Sequence, residues 1–319
     1  MIFKNAYLPE GCLYETERNH FYIGSLAGLE RAMREDAILE ASAMLCDEAR
    51  NLHIGLCAGA VGIIPQSEVL SLRPGESGKD IAVLTRVGKK VCFKITGIDD
   101  SVSPVRVLLS RRAAQEECRT AYTSCLSPGD LIPARVTHTE PFGAFCDIGC
   151  GLISLLPVDA ISVSRISSPA DRLHNGMEIR AAVRTVDPES GRIYLSMREL
   201  LGTWEENTSL FTPGQTVAGV IRSVESYGIF IELTPNLAGL AEVRDRERDL
   251  ASIGHIAAVY IKSINPERMK VKLALVDSYK GNVTVPPLHY YVPQSVHHLD
   301  RWVYSPASCA RVVETVFDA

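Results

Sequence analysis

The chain has 319 residues, of which 46% are hydrophobic and 22% charged, a balance that is typical of globular domains and excludes a wholly disordered chain. Its formal net charge of −5 argues against a protein wrapped around duplex nucleic acid, but not against one that binds single strands by stacking. There is no apolar stretch of signal-peptide or membrane-spanning length, and the nine scattered cysteines suit reduced thiols. We therefore expect a cytoplasmic protein without membrane contact.

Internal repetition organises the chain after an N-terminal arm of residues 1–25. A second repeat covers residues 127–200 and a third covers residues 212–277. Each has a glycine near its start and an aromatic-Gly-x-Phe sequence at the same distance from that glycine. These sequences are Phe142-Gly143-Ala144-Phe145 and Tyr227-Gly228-Ile229-Phe230. In both repeats a later glycine precedes an Asp or Asn by the same number of residues. The same interval separates Gly88 from Asp99, so residues 26–118 are interpreted as a divergent first repeat. Recurrence in this order predicts three units of one design.

Each repeat alternates apolar and polar residues in short runs separated by Gly, Pro, Asp and Asn, which predicts short β-strands. Strand-rich units of this size predict small closed barrels, because closure removes exposed sheet edges. Brief helices are expected over residues 27–34 and 197–201. Residues 113–128 and 202–213 are interpreted as linkers that allow the barrels some relative freedom. Residues 278–319 form a C-terminal extension whose aromatic residues should pack on another part of the protein.

The repeats resemble the S1 RNA-binding domain family, as found in tandem in bacterial ribosomal S1 proteins. The resemblance rests on the opening Gly-x-x-V-x-V, the aromatic-Gly-x-Phe, the Gly-Leu turns at residues 151–152 and 239–240, and the closing hairpin from Asp187 to Arg192-Ile193-Tyr194-Leu195-Ser196. It implies a mainly β fold of three tandem five-stranded OB-fold barrels with short helices and a C-terminal extension. It also implies binding of single-stranded messenger RNA within the translation apparatus.

The family's RNA-contacting positions carry over residue by residue. In the second repeat they fall on Phe142, Phe145, Asp187 and Arg192, with Ser154 at the position of the family's histidine. In the third repeat they fall on Tyr227, Phe230, Asn265 and Lys270, with Glu242 near the histidine position. The first repeat has no aromatic pair at residues 48–51, so RNA contact is not expected there.

The residue types also suggest how RNA would be held. Phe142 and Phe145 would face opposite sides of a flat strand, so we expect a β-bulge at Gly143 to bring both rings to one face. Two such rings form a platform on which bases of any sequence can stack, contributing about 1–3 kcal/mol per base. Arg135 and Arg222 are expected to flank the platforms and meet phosphates. The alternative, that one ring of each pair fills the barrel interior, stays open at this point.

No catalytic, metal-binding or cofactor-binding motif emerges from the sequence. Residues 75–80 lack the spacing of a phosphate-binding loop and are interpreted as a surface turn, and the run 242–249 as a solvated segment. His297, His298 and Cys309 fit no familiar zinc spacing. We therefore expect a protein without catalytic activity, metal or cofactor. Two alternative hypotheses remain. The first is a scaffold that docks on the small ribosomal subunit or an RNA-processing complex without binding RNA strongly, and the second is an accessory to an RNA-degrading enzyme.

Overall fold

The computed structural model describes residues 7–71, 80–243, 249–250, 252–281 and 287–318. Within them, three closed five-stranded barrels follow one another, which confirms the predicted mainly β fold of three tandem OB-type barrels. In each barrel the first three strands form an antiparallel meander, the third pairs in parallel with the fifth, and the fourth closes the barrel against the first.

The strands have the following bounds. The first barrel contains β1 (Leu39–Cys46), β2 (Leu52–Gly55), β3 (Ala60–Ile64), β4 (Lys90–Asp99) and β5 (Val105–Ser110). The second contains β6 (Leu131–Glu140), β7 (Gly143–Asp147), β8 (Ile153–Pro157), β9 (Glu178–Asp187) and β10 (Arg192–Ser196). The third contains β11 (Thr216–Glu225), β12 (Gly228–Thr234), β13 (Leu237–Ala241), β14 (Ile256–Asn265) and β15 (Lys270–Tyr279).

Alternation of side chains along the strands builds each barrel's core. In β10, Ile193 and Leu195 point inward and are buried, whereas Arg192 and Tyr194 point outward. Burying one such aliphatic side chain contributes about 1.5–3 kcal/mol. Closure lets the inward side chains of all five strands meet, so each barrel encloses a core of its own and presents its alternate residues on the outer face.

Within the described residues, α-helices and short 3-10 helices accompany the barrels. The α-helices are α1 (Glu17–Ile23), α2 (Leu26–Arg34), α3 (Asp80–Leu84), α4 (Arg111–Cys125) and α5 (Trp204–Thr208). The 3-10 helices are Gln66–Glu68, Val158–Ala160, Pro169–Asp171, Arg198–Leu200 and Pro266–Arg268. The helix predicted over residues 27–34 is α2, and the one predicted over residues 197–201 is a 3-10 turn.

The interpretation of residues 113–128 as a linker is wrong for most of that range, because α4 occupies it. Ser110 caps this helix by accepting a hydrogen bond from the backbone N–H of Ala113. Ala114, Cys118 and Tyr122 recur every four residues and are buried along one side of the helix. The link between the first two barrels is therefore a packed helix.

Contacts of the N-terminal segment reinforce that junction. Glu10 forms a bidentate ion pair with Arg111, whose side chain is fully buried, with N···O distances of 2.6 and 2.9 Å. The backbone N–H of Glu10 donates to Asp147 of the second barrel at 2.8 Å, and Arg111 donates to the carbonyl of Val69 in the first barrel at 3.0 Å. Removing one member of such a buried pair typically costs about 3–5 kcal/mol. These contacts tie the segment and α4 to both barrels.

A second buried ion cluster joins barrels two and three. Glu232 in β12 accepts hydrogen bonds from Arg222 of its own barrel at 2.9 and 3.2 Å and from Arg172 of the second barrel. Ser164 of the second barrel donates to the same carboxylate at 2.9 Å, and Arg222 also lies 3.2 Å from Asp171. The junction is thus built from charges contributed by both barrels.

The C-terminal extension packs across the second and third barrels, as expected from its aromatic residues. The strands β16 (Arg301–Val303) and β17 (Glu314–Val316) form a small hairpin. The hydroxyl of Tyr304 donates to the carbonyl of Asn236 at 2.5 Å, and the backbone N–H of Leu131 donates to the carbonyl of His297 at 2.9 Å. Phe317 joins Leu131 and Ala182 in a small apolar cluster.

The predicted surface turn at residues 75–80 and the predicted solvated segment at residues 242–249 are described only in part. Residues 75–79 of the expected turn and residues 244–248 of the expected solvated run lie outside the described residues. Along the described ranges, no helix is both long and apolar enough to cross a membrane.

Candidate nucleic-acid interface

Three rings lie together at one end of the β6–β7 hairpin. The rings of Phe142 and Phe145 meet edge to face, with centroids 5.9 Å apart and planes at 86°. The imidazole of His138 is stacked on the ring of Phe145, with centroids 4.5 Å apart and planes at 12°. Phe142 is 56% exposed, so it is not a core residue. Phe145 is half-buried and His138 is exposed. The hypothesis that one ring fills the barrel interior does not hold for this pair.

The β-bulge that arranges these rings is not at Gly143, so that prediction is wrong. The pairing register shifts in the opposite strand, between Val136 and His138 of β6, and this brings His138 opposite Phe145. Phe142 precedes β7 and lies in the hairpin turn. Gly143 has a different role: a Cβ there would lie 2.6 Å from the carbonyl oxygen of Leu156. Glycine is needed because β8 approaches closely.

The stacked pair begins a row of outward side chains that crosses four strands of the second barrel. His138 is the cross-strand partner of Phe145, Phe145 of Leu155 in β8, and Leu155 of Tyr194 in β10. We call these four residues the ring row. Neighbouring cross-strand residues lie about 4.5–5.5 Å apart, a spacing that gives one continuous apolar and aromatic surface. Such a surface offers flat faces to several successive bases.

The closing hairpin places Asp187 and Arg192 at the end of this surface as cross-strand partners. Arg192 is exposed. Asp187 accepts hydrogen bonds from the hydroxyl and N–H of Ser190 and the N–H of Glu189, and these bonds hold the pKa of Asp187 below its usual range. The carboxylate therefore shapes the turn from which Arg192 projects.

The third barrel repeats the arrangement with more positive charge. The rings of Tyr227 and Phe230 meet edge to face at 6.0 Å and 89°, and Tyr227 is 68% exposed. The row from Phe230 runs through Leu240 to Lys272, which stands where the second barrel has Tyr194. Lys270 begins the same strand and is exposed, while Asn265 accepts a hydrogen bond from the N–H of Arg268 at 2.9 Å and shapes the turn.

The structure does not bring three of the predicted residues to these surfaces. Arg135 donates to the carbonyl of Glu10 at 2.8 Å and to Glu178 at 2.5 Å, beside the N-terminal segment. Arg222 is held by Glu232 and Asp171 in the junction described above. Ser154 is buried, and its hydroxyl donates to the carbonyl of Ile193. Glu242 of the third barrel is exposed and lies 3.4 Å from Lys262.

Sequence reasoning missed His138, Leu155, Tyr194 and Lys272. Tyr194 and Lys272 were recoverable, because each lies two residues after a predicted basic residue and side chains two apart in a strand share a face. His138 was not recoverable, because the bulge in β6 interrupts the alternation of side chains between the two faces of the strand.

The outer face of the first barrel carries different chemistry. The positions equivalent to the ring row are Leu45, His53, Ile63 and Leu108. Leu45 is 48% exposed and Leu108 40%, while His53 lies 3.2 Å from Asp47. This face offers aliphatic surface in place of stacked rings.

Comparison with known proteins gives two kinds of match. A family model described as S1 RNA binding domain matches residues 126–198, the stretch that holds the second barrel. The small ribosomal subunit protein bS1 of Staphylococcus aureus (strain COL) is 25% identical over 282 residues, covering 85% of this chain and 68% of the relative.

Two further relatives match over a shorter stretch. The small ribosomal subunit protein bS1 of Leuconostoc lactis is 29% identical over 195 residues, covering 57% of this chain and 45% of the relative. The bS1 homolog of Bacillus subtilis (strain 168) is 26% identical over 200 residues, covering 59% of this chain and 52% of the relative. The matches therefore span about half the length of these two relatives.

Proposed function

We propose that the protein binds single-stranded RNA on the outer faces of its second and third barrels, because the second barrel lies in the stretch that matches the S1 RNA binding domain model. One observation carries the proposal: the ring row of the second barrel, with Phe142 at its edge, forms a stacking surface on the domain that matches the family. We further propose a role in translation in the cytoplasm, with messenger RNA as the ligand. The relatives named small ribosomal subunit protein bS1 support the association with the small subunit.

Stacking fits the acidic composition of the chain. A net charge of −5 disfavours a binding free energy that comes mainly from phosphate contacts. A base stacked on a ring contributes about 1–3 kcal/mol and needs no positive charge on the protein. Lys270, Lys272 and Arg192 add positive charge beside the rings. We infer that the second barrel relies more on stacking and the third more on phosphate contact.

The test is a fluorescence anisotropy titration of the whole chain with a labelled, unstructured RNA of about 12 nucleotides, within the range of about 4–16 nucleotides per OB fold. We expect binding at low salt that weakens as salt rises, with a slope of about −0.7 for each phosphate neutralised. Duplex RNA of the same length should compete poorly, because its bases cannot reach the rings. An absence of RNA binding at low salt would contradict the proposal.

A second function has support from the first barrel. Its face carries exposed Leu45 where the second barrel has His138 and the third has Ser223. It also carries exposed Leu108 where they have Tyr194 and Lys272, and exposed aliphatic side chains favour contact with a protein over contact with bases. We propose that this barrel docks on a protein of the small ribosomal subunit. Leu45→Glu with Leu108→Glu should then abolish co-sedimentation with small subunits and leave RNA affinity unchanged.

A further inference from the structure

A groove of about 430 Å³ lies beside the ring row, between the second barrel and the first repeat. One wall includes Phe145, Leu155 and Tyr194, three of the four residues of the ring row. The opposite wall contains Leu70, Ser71 and side chains of α4. The ring row therefore borders a cleft, and a barrel without α4 and the chain around Leu70 would have an open surface at this place.

Apolar side chains meet the groove from both walls. Leu70 lies on the side of the first repeat and is half-buried. Ile153 lies on the side of the second barrel, in β8, and is 37% exposed. Because side chains two apart in a strand share a face, Ile153 and Leu155 both belong to the outer surface of the barrel. A planar ligand between these walls would exclude water from apolar surface on both of its faces, which favours binding.

Many of the polar groups that line the groove already have partners within the protein. The backbone N–H of Ser71 donates to Gln115 at 3.0 Å, and the side-chain amide of Gln115 donates to a backbone carbonyl of the second barrel at 3.0 Å. Arg86 and Arg111 share the carboxylate of Glu10. The groove is therefore suited to an uncharged ligand that is bound by stacking and apolar contact.

We propose that the groove holds one base of the RNA strand whose neighbouring bases stack on the ring row, with Tyr194 and Ile153 on one side of that base and Leu70 on the other. The inference rests on the RNA binding proposed above and adds a pocket to that site. A nucleobase is planar and uncharged, and the groove volume is within the range of about 300–1,000 Å³ that is usual for ligand sites. Since every base has a π face, any of the four bases should fit. The first repeat then takes part in RNA binding through Leu70, although its own outer face carries no ring pair.

Filling the groove tests the proposal. Ile153→Trp adds a bulky side chain at an exposed position of the groove, and the control Leu210→Trp makes the same kind of change at a position that is 58% exposed and lies outside the lining. We expect Ile153→Trp to weaken binding of the single-stranded oligonucleotide about tenfold at every salt concentration, because one bound base is lost. The salt slope should stay that of wild type, since no phosphate contact changes. Leu210→Trp should change neither.

Photo-crosslinking reports where the bases lie in the wild-type protein. RNA that contains 4-thiouridine reacts through the modified base, so it should crosslink to peptides covering residues 66–71 or 111–125 as well as to peptides of the ring row. Ile153→Trp should abolish the first set of crosslinks and keep the second, because only the groove is filled.

The outcomes separate the groove from the function on which it rests. If the wild-type protein binds no RNA, both are contradicted. If RNA binds and Phe145→Ala weakens binding, but either the groove crosslinks or the effect of Ile153→Trp is missing, the groove proposal fails alone. If Ile153→Trp lowers the salt slope, the groove contacts phosphates and the proposal of a bound base is overturned.

Discussion

The imidazole of His138 lies flat against the ring of Phe145, with centroids 4.5 Å apart. This contact exists because a bulge in β6 shifts the register between Val136 and His138, and it leaves one face of Phe145 occupied by protein. A base that stacks at this position therefore extends an existing stack.

We expect Phe145→Ala to weaken RNA binding by about 1–3 kcal/mol, because the central ring of the row is lost. His138→Ala should weaken it by less, since Phe145 remains. Phe21→Ala is the matched control: Phe21 is 58% exposed but lies on α1 of the N-terminal arm. Anisotropy titrations of the three variants, each verified as folded by circular dichroism, check this. An equal loss in all three would mean that the ring row has no special role.

In the third barrel we expect charge to matter more than rings. Lys270→Glu with Lys272→Glu should reduce affinity and lower the salt slope by about 1.4, the value for two phosphate contacts on a single strand. Lys89→Glu, an exposed lysine of the first barrel, is the control and should leave the slope unchanged. Titrations at four or more salt concentrations measure the slopes. A slope that is equal in all proteins would contradict phosphate contact by these lysines.

Gly143 should tolerate no side chain. Because a Cβ would lie 2.6 Å from the carbonyl oxygen of Leu156, Gly143→Ala should lower the free energy of unfolding by about 1–3 kcal/mol through overpacking. Gly97→Ala is a suitable control, since the nearest atom to its Cβ would be 3.7 Å away. Urea denaturation of both variants gives the comparison. A stable Gly143→Ala protein would show that β8 can move away from β7.

Acid should weaken the junction of the second and third barrels. Burial alone would raise the pKa of Glu232, but hydrogen bonds and charge from Arg172 and Arg222 outweigh it and hold that pKa below its ordinary value of 4.5. The unfolded chain therefore binds the proton more readily, and the stability that Glu232 supplies is lost as pH falls below about 4.5.

At neutral pH, Glu232→Gln should cost about 3 kcal/mol, because two buried guanidinium groups lose their charged partner. The difference from wild type should shrink as pH falls through the lowered pKa of Glu232, because the wild-type carboxylate then also becomes protonated. Thermal unfolding over this pH range measures it, with exposed Glu225→Gln as the control. A difference that does not change with pH would mean that the charge of Glu232 is not what stabilises the junction.

The barrels were predictable from sequence because recurrence, strand periodicity and turn residues all indicate one unit repeated three times. The rings at Phe142, Phe145, Tyr227 and Phe230 were recoverable for the same reason, since each pair brackets a glycine at one offset. The helix α4 was missed although Ala114, Cys118 and Tyr122 recur every four residues, because the repeat boundaries suggested a linker there.

The environment of the arginines was not predictable. Arg135 and Arg222 occur on strands of the right repeats, but their partners Glu10 and Asp171 come from other parts of the chain. Only the packing of one barrel against another reveals that these side chains are already bound.

The C-terminal extension also bears on how the protein is completed during synthesis. His297 and Phe317 cover the start of the second barrel at Leu131, which leaves the ribosome more than 160 residues earlier. A nascent chain can close the second barrel on its own strands, yet Leu131 and Leu200 stay open to water until Phe317 emerges. A stall in translation directly after the third barrel would therefore leave an exposed apolar surface of the kind that chaperones bind.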